Sequence, residues 1–223
     1  MRGARGTLAL LARHPATPAR EFSEWRFDRS NGVRTRGELE FEEYRVSGID
    51  LATAESYMPI QPGRFASGLA AAGVSYEGRT FVDLGSGKGR GLVLAAQEPF
   101  RRFVGVEVSP ELHELAQLNI ASFKRKKGDR REFELRCGDA STFRLPREDM
   151  VLFLFNPFRG EALRAVVKGI EEALLDGVRR LTVLYLTPED QAPFDDAPFL
   201  RLVASSSYCR VYEAIPAGGC PPA

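Results

Sequence analysis

The sequence predicts an α/β fold in which a mostly parallel, seven-stranded sheet is covered by helices and closed by a C-terminal antiparallel hairpin. An N-terminal cap precedes it. Three observations carry this prediction. From Thr80 onward, short apolar runs alternate with amphipathic stretches, as strands and helices do in a parallel sheet. The first apolar run leads directly into a dense glycine turn. The last stretch, Phe199 to Ile215, holds two apolar runs around Ser205–Ser207 with no helical pattern between them, which reads as a hairpin.

The strands are expected at Thr80–Leu84, Phe103–Val108, Phe133–Cys137, Met150–Phe155 and Leu181–Leu186. Helices are expected at Gly89–Gln97, Pro110–Lys124 and Glu161–Leu175. In the second of these, Leu112, Leu115, Leu118 and Phe123 recur at helical spacing, with Ser109 as the N-cap and Pro110 at the first helical position. Before Thr80 the pattern weakens. Phe65–Ala72 reads as a short amphipathic helix, and Tyr57–Pro62 is too rich in proline for regular structure. Residues 1–56 are expected to form an extension or cap, 57–216 the main domain and 217–223 a tail.

Composition narrows the function classes. With 223 residues, 43% hydrophobic and 27% charged, the chain can bury a full core, so disorder is not expected. Its 31 basic and 30 acidic side chains leave a net charge of +1, so no global field draws it to nucleic acid or anionic lipid. The basic run Lys124-Arg125-Lys126-Lys127 with Arg130 and Arg131 reads first as a solvated helix end. Apolar runs such as Met150–Phe155 are too short to span a bilayer as a helix. Three scattered cysteines, Cys137, Cys209 and Cys220, exclude a disulfide framework, and two histidines are too few for a metal cluster. The first twenty residues carry four arginines and no acid, but the apolar stretch among them is shorter than a secretory core, so a cytoplasmic protein is expected.

The glycine turn is the informative segment: Phe81-Val82-Asp83-Leu84-Gly85-Ser86-Gly87-Lys88-Gly89-Arg90-Gly91. A dinucleotide fingerprint would need glycine where Arg90 stands. A P-loop would need Ser or Thr where Gly89 stands. An acid followed by glycines at the second, fourth and sixth positions resembles instead the first motif of class I S-adenosylmethionine-dependent methyltransferases. The chemistry agrees, because that cofactor is a sulfonium cation with an ammonium group and no phosphate. A carboxylate at the loop attracts it and would repel a pyrophosphate.

More narrowly, Tyr57-Met58-Pro59 ahead of this loop resembles small bacterial methyltransferases and the non-SET protein-lysine methyltransferases. The resemblance spans Tyr57 to Ile215 and implies the Rossmann-like methyltransferase sandwich, with S-adenosylmethionine as cofactor. It implies that Asp83, Gly85, Ser86, Gly87 and Gly89 form the cofactor loop. Glu107, at the end of the second strand beside Val108, would hold the ribose hydroxyls, since a carboxylate accepts two hydrogen bonds in one plane. Asp139 and Ala140 would meet the adenine, an N-cap or turn role for Asp139 being the alternative. Tyr57 would line the transfer site.

Methyl transfer needs an aligned nucleophile more than acid–base machinery. The fourth strand ends in Asn156-Pro157-Phe158, where amine-methylating relatives carry Asn-Pro-Pro and an aromatic; Asn156 would then orient the acceptor and Phe158 pack on it. The single proline departs from that pattern and argues against an adenine or glutamine target. The expected activity is methyl transfer to an amine, with a protein lysine among the candidate acceptors. Methylation of a small metabolite, or cofactor binding without catalysis by a regulator or scaffold, are the alternatives. The expected partner is a small-molecule or protein acceptor, with no strong nucleic-acid signal, no membrane and no indication of oligomeric state. The segment before the loop is expected to act as a lid, and a chain lacking residues 1–56 is expected to fold.

Overall fold

The computed structural model describes residues 17–37, 39 and 57–215. Most of the basic N-terminal extension, the 217–223 tail, His14 and Cys220 therefore lie outside the described residues.

The chain enters through α1 (Pro18–Asn31), capped by Thr17, whose hydroxyl accepts the Arg20 N–H at 3.2 Å. Then come α2 (Pro62–Ala72), β1 (Thr80–Leu84), α3 (Arg90–Ala95), β2 (Arg102–Glu107), α4 (Pro110–Lys127), β3 (Glu132–Cys137) and β4 (Met150–Phe155). The remainder is α5 (Glu161–Leu175), β5 (Leu181–Leu186), α6 (Ala192–Asp195), β6 (Leu200–Ser205) and β7 (Cys209–Ala214).

The seven strands lie in the order β3-β2-β1-β4-β5-β7-β6. β1 to β5 pair in parallel, whereas β7 runs antiparallel to both β5 and β6, so β7 alone opposes the other six. This is the Rossmann-like methyltransferase sandwich with its C-terminal hairpin. β1, β4 and β5 are buried almost end to end, as parallel strands covered on both faces must be.

Strand alternation divides the core. Phe81 and Phe153 face one layer, where Phe65 of α2 meets both edge-on at 5.9 and 5.3 Å. Val82, Leu84, Leu152 and Leu154 face the other, packed with Leu163, Val166 and Ile170 of α5.

One start differs from the sequence expectation and one short helix was not expected, for the same reason. α2 begins at Pro62, three residues early, and the short α6 carries Pro193 in its first turn. Proline lacks an N–H that a first helical turn would leave unpaired, and its fixed φ suits that position, so proline-rich stretches begin helices as well as break them. α4 matches at its start, where Ser109 Oγ accepts the Leu112 N–H at 3.2 Å, and runs three residues further than expected, to Lys127, where Gly128 at φ 67° caps it. Among the described residues no helix is long and apolar enough to cross a membrane, and no group of three His, Cys, Asp or Glu could hold a metal ion.

Candidate functional site

The site is built where the C-terminal ends of β1, β2 and β4 meet. After Leu84 the chain turns through Gly85, Gly87 and Gly89 at φ 82°, 52° and 81°. That left-handed backbone is strained for any residue with a Cβ, which is why the turn alternates glycine. The Gly85 and Ser86 N–H groups both donate to the Val106 carbonyl, at 2.9 and 3.0 Å, tying the loop to β2. The Gly87 N–H donates to Glu107 Oε2 at 2.7 Å, and Glu107 Oε1 accepts the Ser109 N–H at 2.9 Å. One buried carboxylate thus joins the glycine turn to the start of α4.

Asp83 is buried on the other side of the loop. Gly91 makes room for it: a Cβ there would lie 2.4 Å from Asp83 Oδ2. Among the described residues no hydrogen bond to the Asp83 carboxylate occurs. Burial, and then the neighbouring Glu107 charge, push its pKa well above the usual carboxylate value. Burial also raises Glu107, opposed by the N–H groups of Ser109 and Gly87. Two buried carboxylates without a cation are electrostatically costly, and a cationic guest would relieve that cost.

Gly138 donates its N–H to the Glu107 carbonyl at 2.9 Å, which brings Asp139 and Ala140 beside β2. Asp139 Oδ1 accepts the Ser141 N–H at 2.8 Å, so this carboxylate also organises its own turn. Val106, Cys137, Gly138, Asp139, Thr142 and Phe143 contribute to a cleft of about 730 Å³ at this corner. Val108, just beyond β2, is half-buried. Cys137 is exposed here, not the core residue its apolar strand suggests, because β3 is the sheet edge.

Asn156 follows β4 at φ 43° and is buried. The Tyr185 hydroxyl, from β5, donates to Asn156 Oδ1 at 3.3 Å, and burial pushes the Tyr185 pKa up to about 12. Pro157 reaches over the loop: a Cβ on Gly85 would lie 2.4 Å from Pro157 Cβ. Phe158 is buried in the layer beneath α5, beside Leu163 and Phe194. Sequence reasoning missed Tyr185. Its one signal is a polar-tipped aromatic in the otherwise aliphatic end Val-Leu-Tyr-Leu of β5.

The larger omission is the grip between the loop and the N-terminal arm. Arg90, only 2% exposed, donates from Nε to the Ile60 carbonyl at 2.7 Å and from Nη1 to Thr35 Oγ1 at 2.8 Å. Its guanidinium lies 4.3 Å above the Phe27 ring and pairs with Asp28 at 3.5 Å. Asp28 in turn accepts the Thr35 and Arg36 N–H groups, at 2.8 and 3.1 Å. Lys88 Nζ donates to the Arg36 and Gly37 carbonyls at 3.1 and 3.2 Å, and sits 4.5 Å over the Tyr57 ring. Asn119 of α4 brackets the arm, accepting the Arg34 N–H at 2.7 Å while donating to the Lys88 carbonyl at 2.9 Å.

Tyr57 completes the junction. Its hydroxyl donates to the Thr35 carbonyl at 2.6 Å and its ring lies on Gly87. Lys88 and Arg90, which the motif alone leaves without a role, are the residues that fasten the arm.

No protein-family profile matches the chain, and no curated protein does. Solved structures resemble it in fold. A protein of Pyrococcus horikoshii to which RNA methyltransferase activity has been ascribed is 16% identical, with a TM-score of 0.50 over 78% of this chain and 94% of that one. An RNA methyltransferase from Salinibacter ruber, in complex with S-adenosyl-L-homocysteine, is 21% identical, with a TM-score of 0.48 over 74% of this chain and 98% of that one. A precorrin 8w decarboxylase from Methanobacterium thermoautotrophicum gives 17% and 0.48 over 71% and 92%. At such identities the likeness defines the fold, and the activity has to be argued from the site.

Proposed function

We propose that this chain binds S-adenosylmethionine and transfers its methyl group to an amine. The observation that carries the reading is the pair of buried carboxylates, Asp83 and Glu107, on either side of a glycine turn, with Asp83 accepting no hydrogen bond from the described residues. That donor set suits a cationic nucleoside and opposes a dinucleotide phosphate.

In this reading Glu107 turns to the ribose hydroxyls, Asp83 attracts the ammonium end, the Gly85–Gly89 backbone allows close approach, and Asp139 with Ala140 borders the adenine. When bound, the cofactor supplies an activated sulfonium methyl. Asn156 holds the acceptor nitrogen with its lone pair toward that methyl, and Tyr185 fixes the amide so that its oxygen stays in place. With the cofactor bound, the amine would bond to its methyl carbon as the carbon–sulfur bond breaks, releasing S-adenosylhomocysteine, and the surplus proton would leave to solvent. Phe158 supports the Asn156 turn from below, and Tyr57 braces the loop. Residues 17–37 serve as a cap fastened through Lys88 and Arg90, and free cysteines fit a reducing cytoplasm.

Titration calorimetry with S-adenosylmethionine, S-adenosylhomocysteine and NAD tests the first half. Heat from the first two and none from NAD is expected, and tight NAD binding would sink the reading. Radiolabelled cofactor incubated with lysate, separated into protein and small-molecule pools, tests the second: label on protein amines is expected, and none in either pool contradicts catalysis.

A further inference from the structure

From a patch of exposed aromatics and cations shared by α1 and α4, we infer that the protein docks single-stranded RNA on the face where these two helices end, whatever the methyl acceptor proves to be. On α1, Phe22 and Trp25 are exposed, at 58% and 40%, and stack on each other at 5.8 Å. The Arg29 guanidinium lies 5.4 Å over the Trp25 ring. An exposed aromatic pair costs free energy in water unless it has a partner, and one already stacked with an arginine offers a flat platform for a base.

Further cations gather where the end of α1 meets the end of α4. Lys126 Nζ donates to the Arg29 carbonyl, so the last turn of α1 lies against the last turn of α4. Arg26 and Arg29 thereby join Arg125, Lys126, Lys127 and Arg130, all exposed. Among the described residues the acids nearby do not cancel them: Glu24 pairs with Arg20 and is buried, Asp28 is buried beneath Arg90, and Asp129 pairs with Arg131 at 2.6 Å, leaving Glu21 exposed at the far end of α1. Between the two helix ends runs a cleft of about 560 Å³, to which Ser30, Asn31, Lys127 and Arg130 contribute. A near-neutral chain therefore carries a local positive surface, and phosphate is the complementary charge.

Platform plus cations selects the polymer. A stacking surface needs unstacked bases, which single-stranded RNA loops present routinely and duplex DNA withholds. The 18-residue α4 starts beside Glu107 and ends in the basic run, roughly 27 Å away. The patch is thus a remote dock, separate from the residues that would move a methyl group.

Trp25 is the sole tryptophan of the chain, so its fluorescence reports events at the platform. A 15-nucleotide uridylate oligomer should quench it saturably at low salt. The affinity should fall with ionic strength at a log–log slope of about 0.7 per phosphate neutralised. Arg26→Glu with Arg29→Glu, and separately Lys127→Glu with Arg130→Glu, should each weaken binding by about tenfold or more. By fluorescence anisotropy of a labelled oligomer, Trp25→Ala should weaken it about 5- to 100-fold, the worth of one base stack. Lys168→Glu, on exposed α5 surface, should change nothing. The inference fails if the oligomer neither quenches Trp25 nor binds. It fails equally if a 15-base-pair DNA duplex binds as well as the oligomer, if only phosphatidylserine vesicles engage Trp25, or if the charge reversals leave affinity intact. Cofactor calorimetry on the same samples keeps these outcomes separate from the methyltransferase reading.

Discussion

The Tyr57 ring lies on the backbone of Gly87, so closely that a Cβ there would meet it at 2.4 Å. The same glycine holds φ at 52° and gives its N–H to Glu107. Arm, turn and the Glu107 carboxylate therefore share one residue. Gly87→Ala should destabilise the fold by about 1–3 kcal/mol in urea unfolding and weaken S-adenosylhomocysteine binding in calorimetry. Unchanged binding would mean that the turn is not part of a cofactor site.

Asp83 gives a pH signature. Its native pKa is raised above the ordinary 3.8, so across that interval the native state keeps a proton that the unfolded chain has lost. Stability then falls as pH rises through the window. Asp83→Asn removes this term, so the variant should gain on the wild type as pH rises above 3.8 when both unfold in urea without ligand. A difference independent of pH would show that Asp83 is not held protonated.

Glu107→Ala should lower cofactor affinity by about 1.5–3 kcal/mol through lost charge-assisted hydrogen bonds. It should also lower the ligand-free melting temperature, since the Gly87 and Ser109 N–H groups lose their acceptor. A drop in melting temperature with affinity unchanged would restrict Glu107 to bracing the loop.

Asn156→Ala should leave cofactor affinity nearly intact and cut turnover of an identified amine substrate, since orientation acts at the transition state. Tyr185→Phe should do the same more weakly, by about tenfold in kcat, the worth of one hydrogen bond. Full turnover in both variants would remove the amine-orienting role.

The arm makes the fold depend on more than the sheet. Asp28→Ala leaves the Arg90 guanidinium buried without its counter-charge, at a cost of about 3–5 kcal/mol. Pairing it with Arg90→Met should recover part of that loss. A chain lacking residues 1–56 would forfeit Phe27, Val33, the Asp28 and Thr35 partners of Arg90, the Arg36 and Gly37 partners of Lys88 and the Arg34 partner of Asn119. It should melt well below the full chain, against the expectation from sequence that the sheet stands alone. Equal melting temperatures would show the arm to be passive.

The sheet was legible because its signals are local: apolar runs, a glycine turn, Ser109-Pro110 opening a helix. Asp83 and Glu107 were legible because they close strands beside that turn. The contacts of Arg90 with Asp28, or Tyr185 with Asn156, were not. Each joins residues 62 and 29 positions apart, and neither leaves a periodicity to read. Arg90 looks like a solvated loop arginine until the arm covers it. Pro62 misled for another reason, since proline marks a helix start as readily as a break.

The two rims of the sheet differ in how they end it. β3 carries Glu132, Glu134 and Arg136 on one side, with Arg102 bonded to both glutamates' strand and to Glu148. β6 loses register between Leu202 and Ala204. A charged rim repels an incoming strand, and an irregular one offers no straight row of donors and acceptors to match. Both rims are therefore poor templates for an eighth strand, and the sheet is protected at each end by a different device.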